Sequence, residues 1–240
     1  MFLLIVFVVG VLSGATAAVV GFGIGSLLTP LLLTRLTPTV AVGAVAIPHL
    51  IATMLRYVQH RHAIDKTVLA RFGIASAIGG FAGAWWQDAV GERWLYVVLG
   101  GLLVATAIAN LTNNFGGLRL PTSVAIVLGA LSGAFGGLVG NQGGLRAAGL
   151  LAFELSPRAY LATSTAVALL IDAARTPVYL TRAGSELMSL ALAIAVATAG
   201  CVVGTILGER VFLGLPPARY RRIVGAAVGV LGIWLLVRAF

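Results

Sequence analysis

Apolar segments follow one another along almost the whole of this 240-residue chain. They occupy residues 2–20, 22–35, 38–58, 68–87, 93–110, 121–139, 143–154, 157–178, 186–208 and 219–237. Only 10% of the residues are charged, whereas a soluble domain carries about a quarter. Backbone inside a bilayer must satisfy its own hydrogen bonds, which favours helices. The sequence therefore predicts an all-α integral membrane protein, one multi-pass domain over residues 1–240 in the cell membrane.

The two halves of the sequence resemble each other. Shifted by 119 residues, the chain superposes on itself without a gap over residues 12–63. In that alignment Pro38 falls on Pro157 and Arg56 falls on Arg175. A helix-breaking proline and an arginine in the same register indicate a true internal repeat, which is typical of transporters.

We predict two repeats, residues 1–111 and 121–240, joined by a linker at 112–120, with five helical segments in each. The first segment resembles a signal peptide but lacks a basic start, and because the repeat includes it we expect it to remain as a membrane span. The second segment of each repeat is short. Its 12 to 14 residues reach roughly 20 Å as a helix, less than the bilayer core of about 30 Å.

The distribution of positive charges predicts how the repeats are oriented, because Lys and Arg in short loops favour the cytoplasm. If the short segments cross, the repeats are inverted and nine basic residues lie inside against four outside. If the short segments turn back, six basic residues lie inside and seven lie outside. The inside set is Arg61, Lys66, Arg71, Arg119, Arg158, Arg210, Arg219, Arg221 and Arg222, and the outside set is Arg35, Arg93, Arg182 and Arg238. The count favours inversion, with both termini extracytoplasmic and residues 60–66 inside.

A glycine-rich loop precedes each short segment, GFGIG at 21–25 and GNQGG at 140–144. Glycine exposes backbone N–H groups without a side chain in the way, and a helix start attracts anions through its unpaired N–H groups and its dipole. In an inverted repeat the two loops approach each other near the midplane. We expect an anion site there, with backbone donors from Gly23, Gly25, Gly143 and Gly144.

Three polar side chains in or just after the second loop strengthen this interpretation. Arg146 adds a full positive charge with a planar donor fork, and Asn141 and Gln142 add neutral donors. The first loop has no counterpart to them, so we expect an asymmetric site. The alternative is that the glycines form a packing face between helices, through small residues four apart.

A second polar group interrupts the apolar segment 157–178. Asp172 and Arg175 lie three residues apart and share a helix face, either as a structural ion pair or with Arg175 holding the anion while Asp172 tunes it or takes a proton. Thr163, Ser164 and Thr165 precede them on the same segment and can donate hydroxyls to the site, or bond to their own helix instead. His49 is either a packing group or a proton carrier.

Other chemistries lack their motifs. There is no HExxH, CxxC, GxSxG or Walker-type loop, so we expect no enzyme, metal site or cofactor. The net charge of +9 comes from basic residues scattered between apolar runs, which excludes a nucleic-acid-binding stripe. Arg56 is expected to extend to the membrane interface. The small residues 79–83 can pack within the chain or against a second copy in a homo-oligomer.

The paired motifs GFGIGSLLTPLLL at 21–33 and GNQGGLRAAGLL at 140–151 resemble those of the sulfite exporter TauE/SafE family of membrane permeases. The resemblance covers nearly the whole chain. It implies export of small sulfur oxyanions or sulfonates. Our own expectation is transport by alternating access, with the lipid bilayer and a small anion as partners. Phe22, Ile24 and Ser26 interrupt the first loop, so the cargo can differ from sulfite. The alternatives are a proton- or cation-linked carrier that uses Asp172 and His49, and a membrane scaffold without transport.

Overall fold

The computed structural model describes residues 1–112, 120–211 and 217–240. Eleven helices are distinguished in this part of the chain: α1 Phe2–Val20, α2 Ile24–Leu33, α3 Pro38–His60, α4 Lys66–Ala89, α5 Glu92–Thr112, α6 Thr122–Val139, α7 Gly143–Leu150, α8 Pro157–Arg182, α9 Gly184–Ser189, α10 Ala191–Val211 and α11 Pro217–Arg238. Six of these are long and apolar enough to cross a membrane, namely α1, α3, α4, α5, α6 and α10. The all-helical membrane class is confirmed.

The helices follow the predicted segments with two local differences. The predicted segment 186–208 is divided into α9 and α10, which meet at Leu190. Helix α4 contains a π-helical turn at Leu69–Gly73. The predicted linker lies mostly outside the described residues, as does Arg119.

Two pairs of helices pack through glycine. Helix α1 lies against α10, where a Cβ on Gly204 would be 2.0 Å from the carbonyl oxygen of Val11. Helix α4 lies against α6 in the corresponding way, with a Cβ on Gly83 placed 2.0 Å from the Ala134 oxygen. Only glycine permits backbones to approach this closely. Gly79 and Gly83 are therefore covered by α6 of the same chain, whereas Phe81 between them is exposed.

Counterpart helices of the two halves meet in antiparallel pairs. In the pair α3 and α8, Gly43 contacts Tyr179 near one end and the Asp65 amide, just beyond α3, donates to Thr163 near the other. In the pair α5 and α11, Gly100 lies against Gly232. These two pairs join the halves together with the α1–α10 and α4–α6 contacts, and α3 is the most buried of the six candidate spans.

Contacts near both ends of the chain place them at one face of the bundle. The Arg35 guanidinium, just after α2, lies 4.2 Å from the centroid of the Phe2 ring at the start of α1. Nη1 of Arg238 donates to the carbonyl oxygen of Leu33, at the end of α2, at 2.7 Å. We call this the terminal face and the opposite end, with residues 60–66, the loop face. The short helix α2 thus ends at the face where α1 begins.

Candidate functional site

The two glycine loops touch each other in the interior. Gly21 and Gly140, 119 residues apart, both have left-handed backbone, with φ of 85° and 74°, and end α1 and α6 in the same way. A Cβ on Gly25 would lie 1.9 Å from the carbonyl oxygen of Gly140, and a Cβ on Gly143 would lie 2.2 Å from the Cβ of Phe22. The loops therefore pack backbone against backbone, as a pair of broken helices does.

A cavity of about 10 Å³ lies between the loops. Of the predicted site residues, those that line it are Gly23, Gly25, His49, Asn141, Gln142, Gly143 and Arg146. The volume suits about one water molecule. Phe22 and Ser26, which were not predicted as site residues, also line it.

Arg146 is buried and reaches across the cavity to the other half of the chain. Its Nε donates to the Ser164 hydroxyl at 3.0 Å, and its Nη2 donates to the carbonyl oxygen of Gly21 at 3.0 Å. Only 2% of the residue is exposed, and its Nη1 has no hydrogen-bond partner. A buried guanidinium with a free donor carries a large cost unless a ligand or a neighbour accepts that bond.

The two amides of the second loop also have unpartnered atoms. Asn141 is 5% exposed, and its Nδ2 has no partner. Gln142 donates weakly through Nε2 to Asp172 Oδ1 at 3.5 Å, while its Oε1 has no partner. The cavity wall therefore offers two unused donor groups, one of them charged, and one unused acceptor.

The starts of α2 and α7 border the same cavity without side-chain caps. Gly23 and Gln142 occupy the capping positions, and neither forms a side-chain hydrogen bond to the helix. The N–H groups in the first turn of a helix have no partner within the helix. The partial positive charge of each helix start adds to that of Arg146.

A chain of buried polar side chains begins at His49 and crosses between the halves. His49 Nδ1 lies 2.5 Å from Asp172 Oδ2, which joins α3 to α8. Asp172 Oδ1 accepts from Arg175 Nε at 3.0 Å. On the other side, Thr53 Oγ1 lies 3.3 Å from His49 Nδ1 and accepts from Arg56 Nη2 at 3.1 Å. The predicted pairing of Asp172 with Arg175 is present, and His49 extends it.

The expectation that Arg56 extends to the membrane interface is wrong. The residue is 3% exposed, and its Nη1 donates to the carbonyl oxygen of Ala17 at 2.7 Å, in the last turn of α1. The Ala17 carbonyl oxygen also accepts from the Gly21 amide, so Arg56 is its second donor. The partial negative charge of a helix end stabilises a cation there inside the protein.

Besides Asp172, four predicted site residues lie away from the cavity between the loops. The Thr163 hydroxyl accepts from the Asp65 amide, and Thr165 donates to Leu161 of its own helix. Arg175 gives its donors to Asp172 and to the Gly136 carbonyl oxygen. Gly144 lines a larger neighbouring cavity of about 170 Å³ between α5 and α7, which Asn141 and Gln142 also line.

Ser164 and Thr53 contact the site. The sequence indicates Ser164 only as one of three possible hydroxyl donors, and Thr53 was not predicted as a site residue. Ser164 belongs to a run of three hydroxyl residues, and helical periodicity places Thr165, not Ser164, on the face of Asp172. Thr53 aligns with Asp172 in the repeat, and this alignment could have identified it. In the part of the chain that the structure describes, no three His, Cys, Asp or Glu residues come together to hold a metal ion.

Long apolar helices, two short helices that start at touching loops, and polar groups buried between them define a polytopic membrane protein of the transporter class. The chain belongs to the sulfite exporter TauE/SafE family, whose model matches residues 6–235. Members of this family are membrane transporters and not enzymes. No curated protein and no solved structure matches the chain.

Proposed function

We propose that the protein is a permease for a small oxyanion, such as sulfite or an organosulfonate, which binds between the two glycine loops. The observation that carries this proposal is the unpartnered Nη1 of Arg146, buried in the cavity wall. Nδ2 of Asn141, also unpartnered, lines the same cavity. An oxyanion would accept from these donors and from the N–H groups at the starts of α2 and α7.

The balance of buried charge also supports an anion. Among the side chains that the structure describes, the buried ones with permanent charge are Arg56, Arg146, Arg175 and Asp172. With His49 neutral, three positive charges and one negative charge leave a formal excess of two positive charges. Uncompensated charge in a membrane interior is costly, and an anion reduces the excess whereas a cation increases it. This weighs against a cation carrier.

The individual roles follow from the contacts. Gly23, Gly25 and Gly143, which line the cavity, would present backbone donors, and Arg146 would supply the charge. Gly144 lines the neighbouring cavity and would not contact the anion between the loops. Arg175 would position Asp172 and the end of α6, since its Nε donates to Asp172 and its Nη1 donates to the Gly136 carbonyl oxygen. The cavity is smaller than any oxyanion of sulfur, so entry requires the loops to move apart. This agrees with alternating access, in which one half moves relative to the other.

We infer that the two halves have inverted topology, with both termini extracytoplasmic. The antiparallel contact of α3 with α8, and of α5 with α11, supports inversion, because parallel repeats would place counterparts in parallel. The return of α2 to the terminal face supports five passes per half. Arg61, Lys66 and Arg158 near the loop face support a cytoplasmic position for it.

Binding and flux measurements test the proposal. The purified protein is screened for thermal stabilisation by sulfite, methanesulfonate and alkali cations, and reconstituted liposomes are used to measure flux of the anions that bind. Arg146→Ala should abolish stabilisation and flux while the protein remains folded. The matched control is Arg158→Ala, an exposed arginine at the start of α8, which should behave as the parent. Stabilisation only by cations would favour the carrier alternative, and insensitivity to every ion would favour a scaffold.

A further inference from the structure

We propose that His49, held by Asp172, is a proton-binding site that couples protonation to anion binding. This inference rests on the proposed function, because it concerns the anion site between the loops. His49 is the one histidine that lines that cavity, and its ring bonds directly to a carboxylate on the other half of the chain. Nothing in the family match assigns this role to it.

The hydrogen bond to Asp172 determines which ring nitrogen takes the proton. An ionised carboxylate only accepts hydrogen bonds, so Nδ1 of His49 donates to Asp172 Oδ2 across 2.5 Å. The coupled proton is therefore gained and lost at Nε2. Asp172 is fully buried and is itself held by Arg175, with Nη2 2.9 Å from Oδ1, so the ring has a fixed orientation.

The charges that surround His49 link its protonation to the affinity of the cavity for an anion. On its own helix α3 the charged neighbour is Arg56, and on α8 the neighbours are Asp172 and Arg175. Arg146 of α7 lines the same cavity as His49. In the absence of an anion, a proton on His49 raises the buried excess from two to three positive charges. An anion in the cavity offsets that excess. Proton and anion should therefore each increase the affinity for the other, as linkage requires.

The site is also asymmetric. The 119-residue shift places Ala168 at the position of His49, so the second half has no equivalent group. One proton site serves both halves because His49 on α3 bonds to Asp172 on the counterpart helix α8. A ring that bridges the halves is placed to sense their relative movement as well as the anion.

The experiment measures sulfate binding to the purified full-length protein from about pH 5 to pH 8, the range in which histidine ordinarily titrates. Sulfate is the probe because its own charge is constant there. The parent protein should bind sulfate roughly tenfold more tightly at the acidic end. His49→Gln should bind sulfate with little dependence on pH. The double variant His60→Gln and His62→Gln, which removes the two other histidines of the sequence, should keep the dependence of the parent.

A second measurement needs no variant. Calorimetric titration of the parent with sulfate in buffers of different ionisation enthalpy gives the number of protons taken up per anion, and a value between zero and one is expected near the midpoint. Binding without proton uptake at any pH, or unchanged pH dependence in His49→Gln, overturns the inference and leaves the permease proposal intact. Absence of any anion binding to the parent overturns the permease proposal, and the inference with it.

Discussion

Arg56 and Arg175 form equivalent hydrogen bonds in the two halves of the protein. Arg56 donates to the carbonyl oxygen of Ala17 near the end of α1, and Arg175 donates to that of Gly136 near the end of α6. Each donor and each acceptor is 119 residues from its counterpart. The arginine that both repeats carry at the same position therefore binds a carbonyl group near a helix end in each half.

This relationship predicts a graded effect on stability. Arg56→Ala removes the charged donor to the Ala17 carbonyl oxygen, which keeps its bond from the Gly21 amide. The loss of this hydrogen bond to a charged group should lower the free energy of unfolding by about 1.5–3 kcal/mol. Arg175→Ala also leaves Asp172 without its cation and should cost about 3–5 kcal/mol. Unfolding of the purified proteins in detergent measures both.

The control for these variants is Arg182→Ala, which breaks an exposed ion pair with Asp88. Its effect should be about 0–1 kcal/mol. Equal stability of all three variants would contradict the helix-end role.

The close approach of the loops predicts sensitivity at Gly25. Gly25→Ala would place a methyl group against the carbonyl oxygen of Gly140, where no flexible side chain can yield. The loops should separate, with loss of anion binding and a lower melting temperature. Gly101→Ala is the matched control, because it lies in α5 with nothing within 4 Å of the added carbon. There the substitution should be neutral or stabilise by about 0.5–1 kcal/mol.

The contact between Arg146 and Ser164 predicts different results for two neighbouring hydroxyls. Ser164→Ala removes the acceptor of Arg146 Nε and should weaken anion binding by about tenfold or more, since a hydrogen bond to a charged group contributes about 1.5–3 kcal/mol and about 1.4 kcal/mol is a factor of ten. Thr165→Ala removes only a bond within α8 and should leave the affinity unchanged. Anion titrations of the two variants separate these outcomes. A larger loss of affinity in Thr165→Ala than in Ser164→Ala would favour Thr165, which shares the face of Asp172, as the hydroxyl that supports the site.

The proposed orientation predicts opposite labelling of two exposed positions. Ser185→Cys lies near the terminal face and should react with a membrane-impermeant maleimide in intact cells. His62→Cys lies at the loop face and should react only after the membrane is opened. The native Cys201 is buried and gives the unlabelled background. Labelling of His62→Cys in intact cells would reverse the proposed orientation.

Several features were predictable from the sequence because they depend on local pattern. Apolar length determined the helical segments, and the 119-residue register identified α2 and α7 as counterparts. The glycine pairs at 21–25 and 140–144 indicated irregular backbone, and the charge of Arg146 indicated a buried polar site. These are properties of single segments, which a sequence displays directly.

Only the tertiary structure decided which residues meet. Periodicity assigns a residue to a face of its own helix but does not say which other helix covers that face, so Ser164, and not Thr165, contacts Arg146. His49 and Asp172 are 123 residues apart, and their bond exists because α3 and α8 cross in opposite directions. Arg56 lies inside because the end of α1 presents a carbonyl group that no local pattern reveals. Hydrogen bonds between distant segments depend on packing, and packing is a property of the folded chain.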